Sequence, residues 1–169
     1  ICGLNVVFTD NQEPYRTRKV RILNGAHTSL VPVGYLYGID KVRESLEDEV
    51  VGKFLKDAIF NEICPTLDLS KEELEQFSND VLDRFRNPYL EHALMSISLN
   101  ATSKYKTRVL PSVLEYIKRK NENPKHLLFS LAALIAFYKG ERGEERFTVK
   151  DDQSVLDFFA TQWAKGDAA

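Results

Sequence analysis

Residues 18–32, RKVRILNGAHTSLVP, are the stretch whose reading decides the fold. Val20, Ile22, Leu23, Ala26 and Leu30 recur at helical spacing, and at about 100° per residue Lys19, Leu23, Ala26 and Leu30 fall on one stripe. Inside this pattern stands Asn24-Gly25, a pair that favours turns, and a glycine in a helix interior costs about 1 kcal/mol relative to alanine. The segment predicts a helix over 15–31, bent or ended at Asn24-Gly25, with Pro32 and the glycines at 34 and 38 loosening the chain beyond it. Lys19, Asn24 and His27 gather around the break, His27 roughly 80° and Asn24 roughly 140° from Lys19. A lysine at the edge of an apolar stripe usually lays its methylenes on the core and keeps its ammonium in water. One withdrawn from water can instead serve as a base near neutral pH. Spacing alone leaves both readings open.

Working outward, residues 4–10, LNVVFTD, are β-branched and aromatic and read as a short strand or extended entry segment, closed by Asp10-Asn11. After Pro14 almost everything reads as helix. Val42, Leu46, Val50, Phe54, Ala58 and Ile59 predict one helix over 42–63, stopped by Pro65. Ser70 followed by Glu73 is a capping box that fixes the next helix start. That helix ends near Phe85 or Arg86, because Asn87 precedes Pro88. Further helices are predicted from Pro88 to Leu99 or beyond and over 112–120. NENPK, 121–125, is a loop, and the apolar run 127–138 is shorter than the ~20 residues of a membrane span, so it reads as a buried core helix. KGERGEERF, 139–147, is a charged turn region, and 151–163 a last helix. The expected class is all-α, one domain with a short extended N-terminal segment.

The chain has 169 residues, 43% hydrophobic and 28% charged, which suits one globular domain with a sizeable core. A formal net charge of -2 gives no long-range attraction to nucleic acid or an anionic membrane. The short basic run Arg16, Arg18, Lys19, Arg21 has no second basic cluster beside it. Only Cys2 and Cys64 occur, neither at metal-ligand spacing, so the expectation is no disulfide framework, no structural metal and a reducing, cytoplasmic setting. The opening ICGLNVVF lacks an initiator methionine and the marks of a signal peptide, so a piece of a longer protein is expected.

A second constellation lies in NPYLEHALMSISLNATSKYKTR, 87–108. On a continuous helix His92, Ser96, Asn100 and Ser103 fall within roughly 80° of one another, with Lys104 about 40° further round. Such a polar stripe is either a solvated surface face or the lining of a site for a hydroxyl-rich ligand.

RKVRILNGAHT, with Lys19, Asn24 and His27 spaced five and three residues apart, resembles the motif of the mannitol dehydrogenase family of polyol-specific long-chain dehydrogenases. RKVRILNGAHTSLVP, RFRNPYLEHALMSISLN, KYKTRVLPSVLEYI and LAALIAFYKGER extend the likeness over nearly the whole chain and resemble its branch that interconverts altronate and tagaturonate. The resemblance implies a mainly helical domain that carries the catalytic residues and follows a nucleotide-binding domain. No G-x-G-x-x-G occurs among the eight glycines, so NAD would be held mainly by that other domain, this chain's expected partner. The resemblance also implies Lys19 as general acid-base and Asn24 and His27 as holders of the reacting oxygen, with no metal. Where mannitol-type members have Asp-Gly-Ser-Ser-Lys, this chain has Asn100-Ala101-Thr102-Ser103-Lys104, and Ser96 stands in place of an arginine. A sugar acid therefore fits better than a simple polyol, with Lys104 or Arg108 pairing with its carboxylate and His92 and Asn100 contacting hydroxyls. The alternatives are a fructuronate or mannitol-type reductase, or a non-catalytic helical interaction module on the same scaffold.

Overall fold

The computed structural model describes residues 8–166. Helix α1 (Glu13–Arg18), a π-helical segment (Lys19–Asn24) and α2 (Gly25–Tyr37) run on as one uninterrupted rod. The rod ends neither at Asn24-Gly25 nor at Pro32, but at Gly38, whose φ of 109° supplies the left-handed cap while Ile39 N–H closes onto the Gly34 carbonyl at 3.0 Å. Tertiary packing overrides the local breakers. Every residue from 28 to 35 is buried, and Gly34 belongs there because an added Cβ would sit 2.9 Å from Ser45 Oγ and 3.1 Å from Leu94 Cδ1.

The helix expected over 42–63 is divided. It forms α3 (Val42–Glu47), α4 (Glu49–Asp57), a second π segment (Ala58–Ile63) and a 3-10 turn (Cys64–Thr66). Asp48 makes the break: its backbone is extended, and its carboxylate accepts from Val50 N–H at 2.9 Å and Val51 N–H at 2.8 Å, capping α4. Gly52 is required at this corner, since a Cβ would fall 2.4 Å from the Leu46 carbonyl. Helix α5 (Lys71–Phe85) starts as predicted, with Ser70 Oγ accepting from Glu73 N–H at 3.2 Å.

The helix predicted from Pro88 does not form. Asn87 Oδ1 accepts from Tyr89 N–H at 2.9 Å, and the chain then runs extended. Its backbone finds partners across the fold, where Val42 N–H donates to the His92 carbonyl at 3.0 Å and Leu94 N–H to the Asp40 carbonyl at 2.8 Å. Only α6 (Leu94–Ile97) is helical before Asn100, which adopts φ 53° and precedes α7 (Ala101–Arg108). The polar stripe of the sequence reading therefore does not exist as one helix face.

Helices α8 (Leu110–Lys120), α9 (Lys125–Phe137) and α10 (Gln153–Ala164) lie where expected, and the charged region forms a small hairpin of β1 (Glu141–Arg142) and β2 (Glu145–Arg146), Glu141 opposite Arg146. Most of the entry strand read over 4–10 lies outside the described residues, and 8–10 are irregular. The all-α class holds. Ile22, Leu30, Leu55, Ile59, Ile63, Leu94, Leu127 and Phe137 form the centre of the core. Helix α9 is buried on the face of Leu127, Ser130, Leu134 and Phe137, but Phe129 is 57% and Ile135 43% exposed, so it is a core helix on one side only. Its N-terminus is capped from a distance: the buried Glu62 carboxylate of the second π segment accepts from His126 and Leu127 N–H, both at 2.8 Å. No helix among the described residues is long and apolar enough to cross a membrane.

Candidate active site

The π segment answers why a turn-forming pair sits inside a helix. Gly25 N–H reaches back to the Val20 carbonyl, five residues earlier. An i→i+5 repeat brings residues five apart to within roughly 50° of each other around the axis, whereas α geometry puts them roughly 140° apart. Lys19 and Asn24 are five apart, so the wider turn brings them nearer to one face than α geometry would, Lys19 exposed and Asn24 half-buried, with His27 in the next turn. Gly25 then serves close packing, because an added Cβ would stand 3.3 Å from the Arg108 carbonyl. The end of α7 thereby comes down onto the rod beside the three residues.

His27 is the best-defined member. Its ring stacks on Phe85, the last residue of α5, at 4.0 Å and 16°, and meets His92 edge-on at 5.2 Å. Burial above all, then His92 and Arg108, push its pKa down to about 3. The imidazole is therefore neutral at physiological pH. Its Nε2 is buried with no hydrogen-bond partner among the described residues. Leu23, His27, Val42, Arg84, Phe85, Leu90 and His92 line a cavity of about 140 Å³.

The remaining predicted residues are placed less uniformly. Lys19 is exposed, and its side chain has no hydrogen bond or ion pair among the described residues. The expected seat on the apolar stripe is not found, because that stripe was drawn with α periodicity and residues 19–24 do not follow it. Asn24 is half-buried. His92 reaches the cavity from the extended segment, not from a helix. Asn100 is exposed, its N–H donating to the Lys150 carbonyl at 3.1 Å. Lys104 Nζ donates to the Ile97 carbonyl at 2.8 Å, and burial, then Arg108, lower its pKa. Arg108 is half-buried, and burial lowers its pKa too. Ser96 and Ser103 are exposed, and Ser96 Oγ donates to the Ala93 carbonyl at 2.7 Å. The structure thus groups Lys19, Asn24 and His27 along the rod and brings His92 and Arg108 to His27. Arg84 and Phe85, which the sequence reading did not single out as site residues, complete the wall; their only local signal is their place at the end of the helix that Ser70 starts.

No group of three metal-ligating side chains occurs among the described residues. Nor do these residues include a parallel sheet or a glycine-rich strand-to-helix turn, the features that cradle a dinucleotide pyrophosphate, so they do not fit that part of NAD.

The buried neutral His27 makes stability depend on pH. Between about pH 6.5 and pH 3 the unfolded chain binds a proton at this residue that the folded chain refuses, so stability falls as pH falls through that window. Between pH 6.5 and 5 the loss is roughly 2 kcal/mol. Urea denaturation of the parent and of His27→Gln at both pH values should show the parent losing that much more; equal losses would mean that His27 is accessible to protons.

Residues 11–166 match the mannitol dehydrogenase C-terminal domain family. The altronate oxidoreductase of Enterobacter sp. (strain 638) is 52% identical over 163 residues, covering 96% of this chain and 34% of that protein. That of Klebsiella pneumoniae (strain 342) is 51% identical over 162 residues, with the same coverage. The chain spans about a third of the length of these relatives. Among solved structures, Pseudomonas fluorescens mannitol 2-dehydrogenase, in ternary complex with NAD and D-mannitol, superposes with a TM-score of 0.83 at 22% identity, over 94% of this chain and 32% of that one. D-sorbitol dehydrogenase in substrate-free form gives 0.79 at 21% identity, over 86% and 30%. At these identities the two structures speak for the fold. The match across 11–166 and the relatives at about half identity make the conclusion plain: this chain belongs to the mannitol dehydrogenase C-terminal domain family.

Proposed function

We propose that this chain is the substrate domain of a longer NAD-dependent oxidoreductase that interconverts D-altronate and D-tagaturonate, with Lys19 as general acid-base. The observation that supports the reading is a neutral, unpartnered His27 one turn beyond the π segment that carries Lys19 and Asn24. Oxidising a secondary alcohol requires loss of its hydroxyl proton as hydride leaves for NAD, held by a nucleotide-binding domain elsewhere in the longer protein. The Lys19 amine takes that proton, and in the reverse direction its ammonium returns it to the carbonyl oxygen. Asn24 through its amide and His27 through a neutral Nε2–H hold the oxygen as charge develops on it, and stacking on Phe85 fixes the imidazole plane. The relatives named altronate oxidoreductase support an acid substrate. So does Asn100, which stands where mannitol-type members carry an aspartate and so removes a negative charge that would oppose a carboxylate.

The test is NADH consumption by the longer protein offered tagaturonate, fructuronate and fructose in parallel. Selective turnover of tagaturonate is expected, and none by this chain alone, whose described residues include no dinucleotide cradle. Preference for another ketone would keep the Lys19 chemistry and replace the substrate. Turnover of none would favour the interaction module, to which the exposed Phe129 and Ile135 on α9 would then belong.

A further inference from the structure

Arg84 stands one residue before the ring on which His27 stacks, and it lines the cavity with both His27 and His92. Its acidic neighbours are engaged elsewhere. Asp83 pairs with Arg86 at 3.0 Å, Asp80, one turn earlier on α5, accepts from Gln76 Nε2 at 2.9 Å, and Glu91 pairs with Lys41. Arg84 itself has no carboxylate partner among the described residues, and no carboxylate lines the cavity. Arg84 is exposed at the rim of this cavity, where a planar guanidinium can offer two parallel N–H donors to an anion, the geometry that matches a carboxylate.

The other basic residues are less suited. Lys104 already gives its ammonium to the Ile97 carbonyl, and Arg108 is half-buried and not part of the cavity lining. Resting on the oxidoreductase reading above, we infer that Arg84 binds the carboxylate of the sugar-acid substrate and sets the preference for an acid over a neutral ketose. His27 Nε2 remains for the reacting oxygen, which Lys19 and Asn24 meet from outside the cavity lining, and Arg84 is left for the acid group.

In the longer protein, Arg84→Met is expected to raise KM for tagaturonate about 30- to 100-fold with kcat lowered less than about threefold. Arg84→Lys, which keeps the charge without the fork, should fall between. A readout independent of turnover is the rise in Tm that altronate gives the parent, which Arg84→Met should abolish. Unchanged KM for tagaturonate, or a loss that falls on kcat and not on KM, would overturn the assignment. A parent that neither turns over a hexuronate nor is stabilised by altronate would instead defeat the functional reading on which it rests.

Discussion

Replacing Lys19 by alanine in the longer protein should lower kcat for tagaturonate reduction by about 10²- to 10⁴-fold, the range for a lost general acid-base, while NADH binding stays within about twofold. Three structural facts make this a clean test. Lys19 is exposed and its side chain has no partner among the described residues, so its removal leaves no buried group unsatisfied. Alanine is at least as good a helix former as lysine, so the rod is not weakened, and the change in stability should stay within about 0.5 kcal/mol. Asn24 and His27 keep their places, because the π turn is held by backbone bonds and by the packing of Gly25 against Arg108. The loss should therefore fall on kcat. Near-normal turnover would return Lys19 to the role of a solvated surface lysine.

That test is posed by a conflict visible in the sequence. Asn24-Gly25 inside an apolar helical pattern marks the place where the rod changes register, but a wheel drawn at 100° per residue separates Lys19 from Asn24 and hides the reason. A π turn is built from ordinary helix formers, so its presence is written in tertiary contacts such as the Arg108 carbonyl over Gly25. The same holds for the site wall. His27, Phe85 and His92 come from three segments, and Phe85 looks like any last apolar residue of an amphipathic helix until the fold sets it under an imidazole. The expected helix from Pro88 fails for a related reason: residues 92–94 exchange hydrogen bonds with 40–42, a pairing that no local pattern announces. What was legible is what local chemistry decides. Ser70 starts its helix through a bond to its own third residue, and Asn87 before Pro88 ends it.

Glu62 gives the sharpest case of a long-range signal, and Glu62→Ala is expected to destabilise the fold by about 2–5 kcal/mol, from two backbone N–H donors left unpaired. Helix α9 begins after Pro124 with no side-chain cap of its own, and Glu62 supplies one from the second π segment, accepting from His126 and Leu127 N–H and facing His126 Nδ1 at 2.6 Å. The carboxylate also meets the positive end of the helix dipole. Its removal would leave two N–H donors at a buried helix start unpaired, at about 1–3 kcal/mol each, and would open a void beside the fully buried Leu127. Because α9 packs its Leu127–Phe137 face on α2, the loss should spread through the core as one cooperative unit. Urea denaturation should show a lower midpoint at unchanged slope. Glu62→Gln, which keeps an oxygen for one N–H and loses the charge, should cost about 1–2 kcal/mol. If Glu62→Ala cost less than about 1 kcal/mol, water would have to be satisfying the start of α9, and Glu62 would be an incidental neighbour of the helix and not its cap.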